Sequence, residues 1–164
     1  MKRIIILLLA IIITNTLLKA QPPVGKYNTT NYPKNRKEIE LLKTLPDSVQ
    51  HLNDDYLAIG PEGKISYGFE QWKKGFADHG ATFKSVKPVP GMGVLRIYNG
   101  DAAVRHDVLD VVFDTPKGDL KIRVIRMECY VKQQGKWYFV QGQGTRALSK
   151  EEIEEMSKTM LQKN

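Results

Sequence analysis

His106, Asp110 and Arg123 are the polar residues of this sequence best suited to chemistry, each set inside a run that otherwise reads as β-strand. An unperturbed imidazole titrates near neutrality, so His106 is the first candidate for a general acid or base. Asp110 could assist it as a carboxylate. Arg123 supplies a charged donor that could orient an anionic or hydroxylated ligand. Four residues along a strand separate His106 from Asp110 by roughly 13 Å, too far to share a proton or a metal ion directly. No HxH or HExxH spacing occurs, and GxSxG, GxxxxGK[ST] and GxGxxG are absent. Neither a metal nor a cofactor is expected. His51 and His79 fall at a helix end and in a loop. Cys129, the single cysteine, reads as a small interior hydrophobe rather than a nucleophile.

Three β-type runs between Gly100 and Thr145 must position these groups: NGDAAVRHDVLDVVF, DLKIRVIRMECYVK and KWYFVQGQGT. Thr115-Pro116-Lys117-Gly118 closes the first hairpin and Gln133-Gln134-Gly135 the second. The first turn pairs Phe113 with Leu120, hence Asp110 with Arg123 and His106 with Met127. Such cross-strand pairs contribute about 0.2–1 kcal/mol. Alternation separates Val104, His106, Val108, Asp110 and Val112 from Arg105, Asp107, Leu109, Val111 and Phe113. Both sets mix polar and apolar residues, so periodicity does not choose the inside. Gly142 and Gly144 leave room for a ligand or let the strand coil.

The preceding chain supplies helices and short strands. Ile39, Leu41, Leu42 and Leu45 form a helical stripe that Pro46 ends, and Asp47 caps a second short helix carrying Val49 and Leu52. Tyr56 to Ile59 reads as a strand followed by the turn Gly60-Pro61-Glu62-Gly63. Phe69, Trp72, Lys73 and Phe76 put an aromatic face on a helix that Gly80 closes, a spacing expected of core packing. Thr82 to Val89 and Val94 to Tyr98 bring the β runs to six, in an α+β layout. Ser149 and Glu152 form a capping box ahead of a terminal stripe of Ile153, Met156, Met160 and Leu161, expected to pack on the domain.

Residues 1–20 read as an export signal, with Lys2 and Arg3 ahead of the apolar run Ile4 to Ile13 and a plausible cleavage after Ala20. The run is short of the ~20 apolar residues of a membrane span, so a permanent anchor is the lesser expectation. Residues 21–34 read as a linker, 35–148 as one domain and 149–164 as a helical tail. Removing the signal takes three of the 25 basic residues and none of the 18 acidic ones, lowering the formal charge from +7 to +4. The remaining positive charges are scattered, and no basic stretch is interleaved with aromatics, so a nucleic-acid partner is not expected.

NDDYLAIGPEGK followed by a helix, and later YNGDAAV with CYVKQQGKWYFV, resembles the nuclear transport factor 2-like superfamily, more narrowly its SnoaL-like and ketosteroid-isomerase-like branch. The resemblance covers about Asn35 to Thr145. It implies a cone: a strongly curved mixed sheet wrapped round N-terminal helices, a pocket between them, and often a homodimer across the outer sheet face. It favours Val104, His106, Val108, Asp110 and Val112 as the inner set and brings Tyr56, Trp72, Arg123 and Met127 towards the same pocket. Leu109, Val111, Phe113, Glu128 and Tyr130 would then lie outside. Gly60 and Met127 stand where the isomerases carry their catalytic carboxylates, and neither can move a proton, so isomerase chemistry is not expected.

These readings lead to an exported protein, periplasmic or secreted, that binds a small, partly apolar molecule without established catalysis. One alternative is a SnoaL-like enzyme using His106 with Asp110 or Arg123 on a hydroxylated or carbonyl substrate. The other is a non-enzymatic dimerisation module.

Overall fold

Pro46 shapes the N-terminal end, because a proline cannot continue a helix. The computed structural model describes residues 31–52 and 55–161. The export segment and most of the linker lie outside them. Helix α1 (Pro33–Leu42) starts with a proline in its first turn, where the missing N–H costs nothing. It begins slightly before the expected boundary at Asn35. A single helical turn, α2 (Asp47–Gln50), follows Pro46, which itself occupies the N-cap position expected for Asp47. Ile39 and Leu42 point into the core, whereas Leu41, Leu45 and Val49 are exposed.

Next come β1 (Leu57–Ile59), β2 (Ile65–Tyr67) and α3 (Phe69–Asp78). The remaining strands are β3 (Thr82–Pro88), β4 (Val94–Tyr98), β5 (Ala102–Asp114), β6 (Leu120–Gln133) and β7 (Lys136–Arg146), and α4 (Lys150–Leu161) ends the described chain. The strand β2 is absent from the sequence reading because its polarity is inverted: Ser66 is buried while Ile65 and Tyr67 face solvent.

All the strands join one 7-stranded sheet in the order β2-β1-β7-β6-β5-β3, with β4 also on β5. It is mixed, since β1 runs parallel to β7 while the other pairings are antiparallel. The sheet is curved and unclosed, and the architecture is the expected α+β cone. The β5–β6 register is the one implied by the Thr115–Gly118 turn, pairing Phe113 with Leu120, Asp110 with Arg123 and His106 with Met127. Gln134 and Gly135, both at positive φ (49° and 80°), make the two-residue β6–β7 turn.

The inner face is the opposite of the one expected. Phe113 packs on Phe76 of α3 at 5.8 Å between ring centroids, and Arg105 reaches Glu40 of α1. Alternation therefore turns Arg105, Asp107, Leu109, Val111 and Phe113 towards the helices, and Val104, His106, Val108, Asp110 and Val112 outward. On β6 the inner residues include Val124, Arg126, Glu128 and Tyr130. Val111 and Tyr130, expected outside, are buried. The aromatic ends of the odd-numbered set decide the matter, since α3 offers Phe113 an aromatic partner.

Beneath α1 the core gathers Ile39, Leu42, Ala58, Ile97, Ala103, Tyr130, Trp137 and Phe139. Each fully buried large apolar side chain contributes about 1.5–3 kcal/mol. The tail helix α4 opens on the expected capping box: Ser149 N–H donates to Glu152 Oε2 at 2.8 Å and Glu152 N–H to Ser149 Oγ at 3.2 Å. Its Ile153 and Met156 are exposed rather than packed on the domain. The side chains of Met160 and Leu161 fall outside the described residues. Among the described residues no helix is long and apolar enough to cross a membrane.

Candidate functional site

Where α2 and α3 stand off the sheet, a cleft of about 450 Å³ opens. Helices α2 and α3 and several strands of the sheet build its walls. The helix α3 contributes Phe69, Trp72 and Phe76, spaced so that all three share one face. Phe83 comes from β3, Tyr56 from just before β1, and Arg126 and Phe139 from β6 and β7. His51 arrives from the end of α2, its backbone bridged to Phe139. Asp47 and Lys73 form a rim ion pair at 3.9 Å.

The rings form a chain of contacts. His51 stacks on Phe69 with centroids 3.9 Å apart and planes at 21°, and meets Tyr56 edge-on at 4.8 Å. Phe69 stacks on Trp72 at 5.5 Å, and Trp72 meets Phe76 edge-on at 5.0 Å. Aromatic pairs in such arrangements are each worth about 0.5–1.5 kcal/mol beyond the area they bury. The stripe on α3 thus does more than pack: its rings are half-buried and line the cleft.

Two polar groups close the deep end. His51 and Tyr56 are 7% and 5% exposed, and among the described residues neither His51 Nε2 nor the Tyr56 hydroxyl has a hydrogen-bond partner. His51 Nδ1 lies 2.8 Å from the Asp47 carbonyl oxygen. A carbonyl only accepts, so Nδ1 carries the proton and Nε2 of the neutral ring is a bare acceptor. Burial holds His51 below its ordinary pKa, outweighing the pull of the Asp47 carbonyl and carboxylate towards the charged form. Burial likewise raises the Tyr56 hydroxyl, although Arg126 nearby favours the phenolate. Arg126 acts on that hydroxyl at close range. It lies over the Phe139 ring at 5.6 Å and meets Glu128 at 3.4 Å.

Behind the cleft the inner charges are consumed by one another. Arg105 donates to Asp107 at 2.5 Å and to Glu40 at 2.5 Å, and Lys43 lies 3.7 Å from Asp107 and 3.3 Å from Glu128. Tyr130 donates its hydroxyl to Glu128 at 2.6 Å. Burial alone would raise the Glu128 pKa, but Lys43, Tyr130 and Arg126 together hold it below the usual carboxylate value. Burial would lower the Arg105 pKa, but Asp107 and Glu40 together raise this already basic group further. This network anchors α1 to the sheet.

Of the residues singled out from the sequence, Tyr56 and Trp72 line the cleft. His106, Asp110, Arg123 and Met127 belong to the outer face. Asp110 and Arg123 do form the expected pair, a two-pronged contact at 2.7 and 3.0 Å. It is exposed at the sheet surface, with both side chains about half accessible, so it neither orients a ligand in the cleft nor sits at its mouth. Glu128, expected outside, is inside. Cys129 is half-buried on the outer face, and burial raises its thiol pKa. Gly60 does follow β1 directly, ahead of Pro61.

Sequence reasoning passed over His51, Phe69, Phe139 and Arg126. A signal for Arg126 was present: the same hairpin register that pairs Asp110 with Arg123 also sets Asp107 opposite Arg126 and Arg105 opposite Glu128. Two opposite-charge pairs on one face mark a surface that must neutralise itself.

No family model and no curated protein matches the sequence. Solved structures do. A nuclear transport factor 2-like protein of unknown function from Prochlorococcus marinus superposes with a TM-score of 0.57 at 16% identity, over 72% of this chain and 97% of that one. This chain has the nuclear transport factor 2-like fold. A second protein of that fold, from Cytophaga hutchinsonii, gives 0.52 at 18% identity over 70% and 94% of the two chains. The association domain of C. elegans CaMKII gives 0.50 at 16% identity over 71% and 98%.

Proposed function

We propose that this nuclear transport factor 2-like chain is an exported binding protein that holds a small, flat, partly apolar molecule in the cleft between α3 and the sheet, without transforming it. The observation that carries the reading is the cleft itself: about 450 Å³, walled by Tyr56, Phe69, Trp72, Phe76, Phe83 and Phe139. Apolar concavities of 300–1,000 Å³ with a few convergent polar groups are the usual form of small-molecule sites. Export rests on Lys2 and Arg3 ahead of the apolar run Ile4 to Ile13.

The enzymatic alternative through His106 and Asp110 has no support in this geometry, because both sit on the far side of the sheet from the cleft. Within the cleft the groups able to accept a proton are His51 Nε2 and the rim carboxylate of Asp47. The dimer reading keeps a physical basis on a different surface from the one first expected. Ile125 is 45% exposed on the outer face, beside Val108 and Met127, and the CaMKII neighbour is itself an association domain. Sedimentation of the chain without residues 1–20 tests it, with a dimer at micromolar concentration expected and a monomer opposing it.

Native mass spectrometry of the protein purified from the expressing cells tests the principal reading. A retained small-molecule adduct is expected, and Ala81→Trp, which fills the cleft from its wall, should abolish it. An adduct that persists in Ala81→Trp places the ligand elsewhere and overturns the proposal.

A further inference from the structure

The deep end of the cleft has a polarity that narrows the ligand class. Resting on the binding reading above, we infer that the site recognises an acidic hydroxyl on an aromatic ring, a phenol-type group, seated between His51 and Tyr56. Both residues line the cleft and are more than nine-tenths buried, and each carries one polar atom that is sealed from solvent and has no hydrogen-bond partner among the described residues.

The two atoms are complementary to one functional group. His51 Nε2 is an acceptor because Nδ1 gives its proton to the Asp47 carbonyl. The Tyr56 hydroxyl is a donor without an acceptor. A hydroxyl oxygen that donates to Nε2 and accepts from Tyr56 answers both. A carboxylate answers only Tyr56 and sets a negative oxygen against the Nε2 lone pair. A carbonyl leaves Nε2 unanswered. Buried polar groups left without a partner carry a penalty, so the ligand that satisfies both is favoured over those that satisfy one.

The walls add the ring. His51 stacks on Phe69, and Phe69 on Trp72, so a flat aromatic body extends the stack towards the open mouth, where Phe76 and Phe83 lie. Burial keeps the Tyr56 hydroxyl protonated despite the nearby Arg126, so it remains a donor, and a phenol donates a stronger hydrogen bond to Nε2 than an alkyl alcohol does. Lys73 and Asp47 also face the cleft, but they neutralise each other at the rim.

Calorimetric titration with 2-naphthol, 2-methoxynaphthalene and 2-naphthoate separates the possibilities. The methyl ether keeps the ring and an acceptor oxygen but cannot donate, and the carboxylate accepts only. The expected order is 2-naphthol tightest, the methyl ether about tenfold weaker, the scale of one lost hydrogen bond, and 2-naphthoate weaker than 2-naphthol. Tyr56→Phe, which keeps the ring, should weaken 2-naphthol by about tenfold, and His51→Phe, which keeps the stack on Phe69, should make naphthol and methyl ether bind alike. Equal binding of all three probes to the native protein overturns the hydroxyl preference while the binding reading stands. Tighter 2-naphthoate than 2-naphthol overturns it in favour of a carboxylate. Binding by none of the three contradicts the binding reading for aromatics, and this inference with it.

Discussion

Gly142 on β7 lies directly under the Arg126 guanidinium of β6: a Cβ placed on it would sit 2.8 Å from Arg126 Cζ and 2.9 Å from Phe139 Cζ. Real Cβ contacts are not that close. The missing side chain is the space through which Arg126 reaches the Phe139 ring and the cleft.

Gly142→Ala is therefore expected to displace Arg126 and Phe139 together. Overpacking of this kind costs about 1–3 kcal/mol, read as a lower midpoint in urea unfolding. Any ligand of the cleft should weaken in parallel. Gly118, which has open space where a Cβ would go but a positive φ of 99°, is the control: Gly118→Ala should affect stability through turn strain without changing binding.

A second expectation concerns pH. Burial lowers the folded pKa of His51 from 6.5, while the unfolded chain titrates near that value. As pH falls below 6.5 the unfolded state takes up a proton that the folded state refuses, so stability is lost through this window and regained on returning to neutrality. His51→Phe should remove that part of the profile. Glu128 adds a separate loss: its folded pKa lies below 4.5, so its stabilisation is present above 4.5 and disappears as pH falls through the folded value. Urea midpoints measured from pH 8 to pH 3 should show both stages in the native chain and only the lower one in His51→Phe.

The two ion-pair systems should respond in opposite ways. Asp107→Ala leaves Arg105 in a largely buried position with only Glu40, and breaking a buried pair typically costs about 3–5 kcal/mol. The cost here should fall at the lower end, because Glu40 remains. Arg123→Ala breaks a pair exposed on the outer face and should leave the unfolding midpoint unchanged.

Much of the framework could be read directly from residue types. Turn chemistry at Thr115–Gly118 was enough for the β5–β6 register, Pro46 for the division of the helices, and Ser149 with Glu152 for the start of α4. The face of the sheet was not legible by counting apolar residues, because this cone keeps Arg105, Asp107, Arg126 and Glu128 inside. Those charges are tolerated because they pair with one another, with Glu40 of α1 and with Lys43 at its C-cap, a relation that depends on a helix far off in sequence. The site followed the same logic. Tyr56 and Trp72 were placed in the pocket by the resemblance to the nuclear transport factor 2-like superfamily, while their spacing alone spoke only for core packing. His51 was passed over because a histidine at the end of a helical turn has no periodicity to show its direction; only the parallel bridge to Phe139 turns it inward.

The tail helix yields a further test. Ile153 and Met156 of α4 are exposed, and α4 supplies no residue to the core beneath α1. A chain ending at Leu148 should unfold at the same urea concentration as the full-length protein. A clear loss of stability would show that α4 contributes to the domain.

The central claim is that the functional surface is the aromatic cleft and not the outer face that carries His106. Methyl carbon–proton NMR spectra report on both sides at once, through Ala77 and Ala81 at the cleft and Met127 and Val108 on the outer face. Titration with flat aromatic probes such as 2-naphthol should shift the Ala77 and Ala81 signals progressively and leave those of Met127 and Val108 in place. Shifts at Met127 and Val108 with Ala77 and Ala81 unmoved would contradict the account.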